Sequence, residues 1–532
     1  MSRIVSLLPL ESLSWPVIAA IVLIGLPILL VAANVIRQTV LPKDPSLPPE
    51  VFHFIPWFGS AATYGMDPYK FLFDCREKYG DLFTFVLLGR KMTVALGPKG
   101  NNLILGGRLN QVSAEEAYTH LTTPVFGEGV VYDCPNDMLM QQKRMVKFGL
   151  STENLRAYVG MITEETLGFL SHELHASDTW QGFDALAAMS ELTILTASRT
   201  LQGKEVRAQL DKTFAERYEH LDGGFTPINF MFPNLPLPSY RRRDKAQKAM
   251  SEFYQGIIRK RREGTHDHEY DMISALQGST YKDGTPLSDR DIAHMMIALL
   301  MAGQHTSSAT SSWTLLHLAE RADVWEEIYQ EQKQKFGNPD GTFRDMTYED
   351  LKDLTVLDHV IRETLRLHAP IHSIMRKVIS DIPVPNSLSS PKQSSEDASY
   401  VIPKGHFVLA SPGVAQMDPL IWSNAADWNP HRWDDAAGVA AQAAERYTEG
   451  DKVDYGYGSV SKGTESPYQP FGAGRHRCIG ETFAYVQLQT ILATLCRKVE
   501  LKLEGPFPSP NYQTMIVLPL KGQTKIMYKL RA

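Results

Sequence analysis

The sequence predicts a mainly α protein with small β-sheets, built as a single large domain behind an N-terminal transmembrane helix. Three observations carry this expectation. Helical apolar periodicity dominates the chain, and one pattern starting at Ser288 runs for about 30 residues without a proline. The β-like runs, "LFTFVLLG" and "MTVALG" early and "MIVLPL" late, are short. No residue from Ser12 to Ile36 is charged.

Composition narrows the classes further. The 532 residues are 43% hydrophobic with a net charge of -6, enough apolar material for a large core. Cys75, Cys134, Cys478 and Cys496 are too scattered for a disulfide framework and form no Cys-x-x-Cys pair, so a reducing compartment is the default. Mild acidity argues against nucleic acid as a partner, and Arg241-Arg242-Arg243 and Lys260-Arg261-Arg262 read as solvated helix faces.

Residues 1–41 read as a membrane anchor with a transmembrane helix over about 15–36. The run "WPVIAAIVLIGLPILLVAA" has nearly the ~20 apolar residues a bilayer-spanning helix needs. A cleaved signal peptide competes, with Val31-Ala32-Ala33 as its cleavage site, but the run exceeds the roughly 7–15 residues of a signal core. Arg37 and Lys43 on the far side mark that side as cytosolic, which places the rest of the chain in the cytosol. Residues 42–60 read as a proline-rich hinge (Pro42, Pro45, Pro48, Pro49, Pro56) of semi-rigid extended chain, and composition fits an ordinary proline-rich entry loop equally well. Residues 61–532 show no second linker and read as one domain, with polar surface insertions at Asn386–Ser399 and Asp434–Ser466.

The long helix is expected to start at an N-cap, Ser288, with Asp291 three residues on, and to fade near Glu320. At about 1.5 Å per residue it crosses a whole domain. Its middle reads "AGQHTS". Ala302 and Gly303 clear side-chain bulk for a flat ligand, and the hydroxyls of Thr306 and Ser307 can bond carbonyls one turn back. Plain helix packing explains Ala-Gly equally well, so the motif gains weight only from its company. In "DHVIRETLRLHAP", Glu363 and Arg366 share a helix face that ends near Pro370, and "DWNPHRW" adds Arg432. In "YQPFGAGRHRCIGE", Cys478 stands among glycines, Arg475, His476 and Arg477, just before a helical run. Backbone amides, positive charge and a helix N-terminus all favour a thiolate, which is a good metal ligand.

These motifs, in this order, resemble the cytochrome P-450 family. "FGAGRHRCIG" is similar to its haem-binding loop, "ETLR" to its Glu-x-x-Arg pair completed by Arg432, and "AGQHTS" to its oxygen-binding helix. The resemblance covers nearly all of the chain after the anchor. It implies a P-450 fold and a haem-thiolate monooxygenase domain, with haem b held by Cys478 as the axial iron ligand and a Glu363–Arg366–Arg432 structural triad. Thiolate ligation favours O–O cleavage, the chemistry of a monooxygenase. Most of the family carries an acid before the helix threonine, whereas His305 stands there in this chain. That departure resembles the sterol 14α-demethylases. "AYTHLTTPVFGEGVVYDCP" and "GGFTPINFMFPNLPLP" resemble their substrate-recognition segments, in the form of fungal members.

Roles follow from the resemblance. Thr306 and His305 are the candidates for proton delivery, although a histidine merely bonded to a neighbouring helix explains His305 as well. Tyr118, Tyr132, Lys143, Arg376 and His476 would donate to the haem propionates. Leu121, Thr122, Phe126, Phe225, Pro227, Phe230, Met301, Ala302, Ile371, Ser373, Ile374 and Met515 match the family's cavity-lining positions, as a largely apolar sterol requires. The implied reaction removes the 14α-methyl of lanosterol or 24-methylenedihydrolanosterol as formate in three steps, each using O2 and NADPH-derived electrons. It is a step of ergosterol biosynthesis and, by resemblance, an azole target. With no convincing dinucleotide or flavin motif in the chain, electrons are expected from a separate NADPH-cytochrome P-450 reductase in the endoplasmic reticulum membrane. Two other classes remain open: a haem-thiolate oxygenase acting on another substrate, and a non-enzymatic haem or sterol binder.

Overall fold

The structure, a computed structural model, describes residues 15–264, 270–385, 388 and 400–531. The chain falls into two compact units, Met1–Val94 with Val378–Val408, and Ala95–Lys377 with Leu409–Ala532.

The first unit holds helix α1 (Trp15–Thr39) and the neighbouring strands β1 (Leu82–Leu87) and β2 (Arg90–Ala95). Leu88 and Gly89, with φ of 49° and 80°, make the tight turn between those strands. Helix α1 coincides with the predicted span. Its side chains at 16–22 lie outside the described ones, and among the described residues no helix is long and apolar enough to cross a membrane.

The second unit is mainly helical. Its elements include α2 (Glu115–Phe126), α3 (Asn136–Gly149), β3 (Gln181–Asp184), α4 (Ala185–Ala197), α5 (Lys212–Asp222), α6 (Pro227–Met231) and α7 (Pro238–Glu263). They continue with α8 (Asp289–Glu320), α9 (Thr355–Leu367), β4 (Ile374–Val378), α10 (Val439–Glu449), β5 (Lys452–Asp454), β6 (Ser459–Ser461), α11 (Glu481–Lys498), β7 (Val499–Leu503) and β8 (Lys525–Leu530). Strand β8 pairs antiparallel with both β7 and β3.

Helix α8 is the expected long helix. Ser288 Oγ caps it by accepting from the Asp291 amide at 3.0 Å, and Asp289 and Asp291 complement the positive end of its dipole. It is buried almost throughout from Ile292 to Ala319 and packs on α2, α4, α7, α9 and α11. Several of its buried hydroxyls are satisfied within the helix: Thr310 donates to Thr306 O (2.8 Å), Ser311 to Ser307 O (2.7 Å) and Thr314 to Thr310 O (2.7 Å). A helix can thus carry a row of Ser and Thr through a core without stranding their polar atoms.

Two expectations need correction. "MIVLPL" is not a strand of that length: only Leu518–Pro519 pairs, with Pro510–Asn511. The Val517 amide donates instead to Pro370 O and its carbonyl accepts from Trp313 Nε1, so this backbone serves tertiary contacts. The stretch 434–466 is not only surface. It folds into α10 and the β5–β6 hairpin, burying Tyr447 and Tyr457 at 2% and 4% exposure. The other insertion, 386–399, lies outside the described residues except position 388.

Candidate active site

The Cys478 loop is shaped by left-handed glycines, Gly472 (φ 67°) and Gly474 (φ 68°). A Cβ on Gly474 would lie 2.3 Å from Leu105 O, so no other residue fits there without a shift. The Gly472 amide donates to Gln469 O, the Gly474 amide to Lys462 O and the Cys478 amide to Phe471 O, after which α11 begins at Glu481. Arg477 is 9% exposed, and its guanidinium is used up on Glu481 (2.9 and 3.1 Å) and on Tyr447 O (2.7 Å). It therefore stabilises the loop.

Cys478 is the one exposed cysteine among the described residues, yet it is surrounded by protein, so its accessible surface faces inward. Burial pushes its thiol up. The Gly480 amide, Lys143 and Arg477 oppose that, and the nearby Glu481 carboxylate adds to it. The charge of a bound metal would favour the thiolate at this position.

The five predicted propionate donors gather beside this loop. The rings of Tyr118 and Tyr132 stack at 5.2 Å, and Tyr132 lies 6.0 Å from His476. Tyr118 Oη accepts from the Met375 amide at 2.8 Å, next to Arg376 on β4, which is 4% exposed and donates to Met375 O. Lys143 Nζ, from α3, donates to Arg475 O (3.1 Å) and Arg477 O (2.8 Å). Burial lowers the Lys143 ammonium to about 7, with Arg376 and Lys147 adding to the shift and Cys478 opposing it. Burial also holds the His476 imidazole well below its usual range, helped by Arg376, Lys143 and Arg475, and pushes the Tyr132 phenol up to about 12. Among the described residues no carboxylate forms an ion pair with Lys143 or Arg376. A buried cluster of donors and cations in which neither holds an anion fits a dianionic ligand. No group of three or more His, Cys, Asp or Glu forms a metal cage among the described residues.

On α8, Ala302 is exposed between neighbours that are buried, Met301 (2%) and Gln304 (4%), and a Cβ on Gly303 would meet only Leu201 and Phe483 at ordinary distance. Thr306 Oγ1 donates to Ala302 O at 2.7 Å. His305 turns to the neighbouring helix α5. Its Nε2 lies 3.1 Å from Asp222 Oδ1 and 3.1 Å from Tyr218 Oη, whose hydroxyl also donates to Gln304 Oε1. Sequence reasoning missed Asp222 and Tyr218. Their spacing of four on one helix was visible, but nothing local tied them to a histidine more than 80 residues on.

The cavity candidates divide. Leu121 and Thr122 on α2 and Met301 on α8 are buried, and Phe126, Phe225, Phe230, Ser373 and Ile374 are half-buried. Phe126 and Phe225 meet with ring centroids 5.5 Å apart, and α6, which carries Phe230, packs on α2. Ile371 and Met515 are exposed, at 51% and 43%, in segments joined by the Val517–Pro370 bond. The side chain of Pro227 lies outside the described ones.

Glu363 and Arg366 are fully buried and paired at 2.9 Å, and Arg432 Nε reaches Glu363 Oε1 at 2.8 Å.

Fold, cysteine loop and donor ring together define a haem-thiolate protein. The chain belongs to the cytochrome P450 family, whose model matches residues 48–527. Membership brings with it a haem iron on a cysteine thiolate and electrons from a reductase. The lanosterol 14-alpha demethylase of Mycosarcoma maydis is 54% identical, over 100% of this chain and 97% of its own length. The sterol 14-alpha demethylase of Aspergillus flavus is 49% identical over 96% of each chain. The eburicol 14-alpha-demethylase of Uncinula necator is 49% identical over 95% of this chain and 94% of its own. Among solved structures, retinoic acid bound cyanobacterial CYP120A1 superposes with a TM-score of 0.73 at 18% identity, over 92% of this chain and all of the other, a likeness of fold alone.

Proposed function

We propose that this protein is a sterol 14α-demethylase, a monooxygenase that removes the 14α-methyl of lanosterol or 24-methylenedihydrolanosterol as formate in three O2- and NADPH-dependent steps. The likeness of the whole chain, at about half of all positions, to fungal relatives named for that reaction carries the reading. The bound haem would supply oxygen activation. Cys478 would hold its iron through the thiolate, and Tyr118, Tyr132, Lys143, Arg376 and His476 would hold its carboxylates.

Oxygen activation consumes protons, and this chain's groups suggest their route. Thr306 would hold water at the exposed Ala302 turn. His305, bridged to the half-exposed Asp222, would pass protons inward from the surface of α5. The apolar side chains around Leu121, Phe126, Phe225 and Met301 would enclose the sterol and keep bulk water from the reacting methyl.

The uncharged run 12–36 and the exposed Leu23, Ile24 and Leu29 of α1 support a single-pass anchor in the endoplasmic reticulum membrane, with the catalytic part cytosolic and a membrane-bound reductase as partner.

Turnover of the purified protein with reductase and NADPH on both sterols tests the reading. Formate with a 14-demethylated product is the expected result, and Asp222→Asn is expected to slow it about tenfold or more if His305 relays protons. If neither sterol reacts while the reduced protein with CO still gives the thiolate Soret band, the haem reading stands and the sterol assignment falls.

A further inference from the structure

The β5–β6 hairpin reads in sequence as part of a surface insertion, yet it is wedged against α3 and the Cys478 loop. Asp454 Oδ1 accepts the amides of Gly456 (2.7 Å) and Gly458 (3.0 Å) and so fixes the hairpin tip. Both glycines have positive φ, 110° and 101°, and a Cβ on them would meet Met140 Cβ at 3.3 Å and Lys147 Nζ at 3.1 Å, so the tip is pressed onto α3. At its other end the hairpin joins the cysteine loop, because Ser461 O accepts from Arg477 and Lys462 O from the Gly474 amide.

Tyr457 stands at the centre of this arrangement, 4% exposed. Lys143 Nζ lies 4.1 Å from the centroid of its ring, and its hydroxyl donates to Arg475 O at 3.3 Å. That carbonyl also accepts from Lys143 Nζ at 3.1 Å. One side chain thus sets both the face on which the ammonium rests and one of the two carbonyls that orient it. Arg475 and Tyr455 extend the stack outward: the guanidinium lies 4.9 Å from the Tyr455 ring, which stacks on Tyr457 at 6.4 Å. An ammonium has three N–H donors, and the loop carbonyls take two of them.

We propose that Tyr457 is a positioning residue for Lys143, fixing the ammonium so that its remaining N–H and its charge are delivered to a haem carboxylate. The inference rests on the reading of Lys143 as a propionate donor. It makes the insertion part of the haem site: hairpin, Tyr457, Lys143 and cysteine loop act as one unit.

A double-mutant cycle on the haem-loaded full chain tests it, using Tyr457→Met, Lys143→Met and the pair, with Tyr457→Phe as the conservative variant. Two quantities are read: the rate of haem transfer to excess apomyoglobin, and the reduction potential of the bound haem. Tyr457→Met is expected to release haem about 3- to 30-fold faster, the range that cation–π contacts span from exposed to desolvated sites. It should also lower the potential, in the same direction as Lys143→Met, because a positive charge moves away from the haem. Tyr457→Phe keeps the ring face but loses the hydroxyl that bonds Arg475 O, so it should lie between the parent and Tyr457→Met. In the Lys143→Met background, Tyr457→Met should add less than about twofold. Full additivity with Lys143→Met active would overturn the role of Tyr457 and leave the Lys143 reading intact. If Lys143→Met changes neither quantity, the Lys143 reading itself fails and takes the inference with it. Should Tyr457→Met not fold, Tyr457→Leu runs the same cycle.

Discussion

Arg366 uses all of its donors inside the protein. Nε and Nη2 bond both oxygens of Glu363 at 3.0 and 2.9 Å, Nη1 bonds Gln416 O and Ala425 O, and Nη2 also reaches Asp427 O. Glu363 in turn accepts from Arg432 Nε, Trp433 Nε1 and the Asn429 amide. Replacing such a pair outright by apolar groups can be nearly neutral, whereas removing one partner leaves a buried charge and unpaired carbonyls. The pair therefore specifies how the irregular chain at 416–433 docks on α9 more than it adds raw stability. Arg366→Lys cannot fork and brings three N–H donors in place of five, so it leaves at least two of these five acceptor contacts unmade. We expect a loss of about 3–5 kcal/mol and protein that no longer retains haem. Urea unfolding together with the CO-difference spectrum checks this, and an unchanged spectrum with an unchanged midpoint would refute it. The Glu363–Arg366 spacing and Arg432 were legible in sequence because the motif is local and the third member matched a known pattern. Trp433 and Asn429 were not, because their hydrogen bonds depend on how an irregular loop folds back.

At the scale of elements, helix α8 was legible because its start has a capping signal and its length has no proline; its neighbours were not. Its far end shows why. His317 Nε2 meets His368 Nε2, just past the end of α9, at 2.9 Å. His368 stacks on Trp313 at 3.8 Å, and His317 lies between Trp428 at 4.7 Å and Phe507 at 4.4 Å. Burial holds His317 well below its usual range, with His368 adding to the shift, and holds His368 down to about 3, with Arg366 adding. Two neutral imidazoles bond as donor and acceptor, and burial, with Arg366 nearby, opposes a charge on either. The sign then follows. Below about 6.5 the unfolded chain takes up protons that the folded pair refuses, so stability falls as pH drops from about 6.5 toward 3. Urea midpoints at pH 7, 6 and 5 should decline, and His368→Phe should flatten that decline by roughly one proton's worth. The variant should start lower at pH 7, because His317 Nε2 loses its partner. An equal slope in parent and variant would refute the assignment. The same limit explains "MIVLPL": its composition is that of a strand, but its backbone bonds go to Pro370 and Trp313, which only the assembled helices position.

At the scale of the whole molecule, the sequence assigned stiffness between the N-terminal helix and the rest of the chain to prolines. Within the first unit the structure adds a different source. Asn34 Nδ2, near the end of α1, donates to His53 O (2.8 Å) and Phe54 O (3.0 Å). Gln38 Nε2 donates to His53 O at 2.7 Å, and its Oε1 accepts the His53 amide at 3.1 Å. Both amides are buried, at 5% and 8% exposure. Beyond them Glu50 bonds Arg37 and Lys91, and the Val51 amide donates to Thr84 O on β1. The helix is thus clamped to residues 53–54 and the segment before them to a strand, while Phe54, Ile55 and Trp57 are exposed. Proline alone would make a stiff rod with a free joint at the end of α1; the two amide side chains remove that joint. Each buried hydrogen bond contributes about 1 kcal/mol, so Asn34→Ala with Gln38→Ala should lower the free energy of local opening by about 2–4 kcal/mol. Chymotryptic cleavage at Phe52 and Phe54 should then accelerate about 30-fold or more, with the rest of the chain as resistant as before. An unchanged cleavage rate would mean that the prolines and the Glu50 bridges hold the segment unaided.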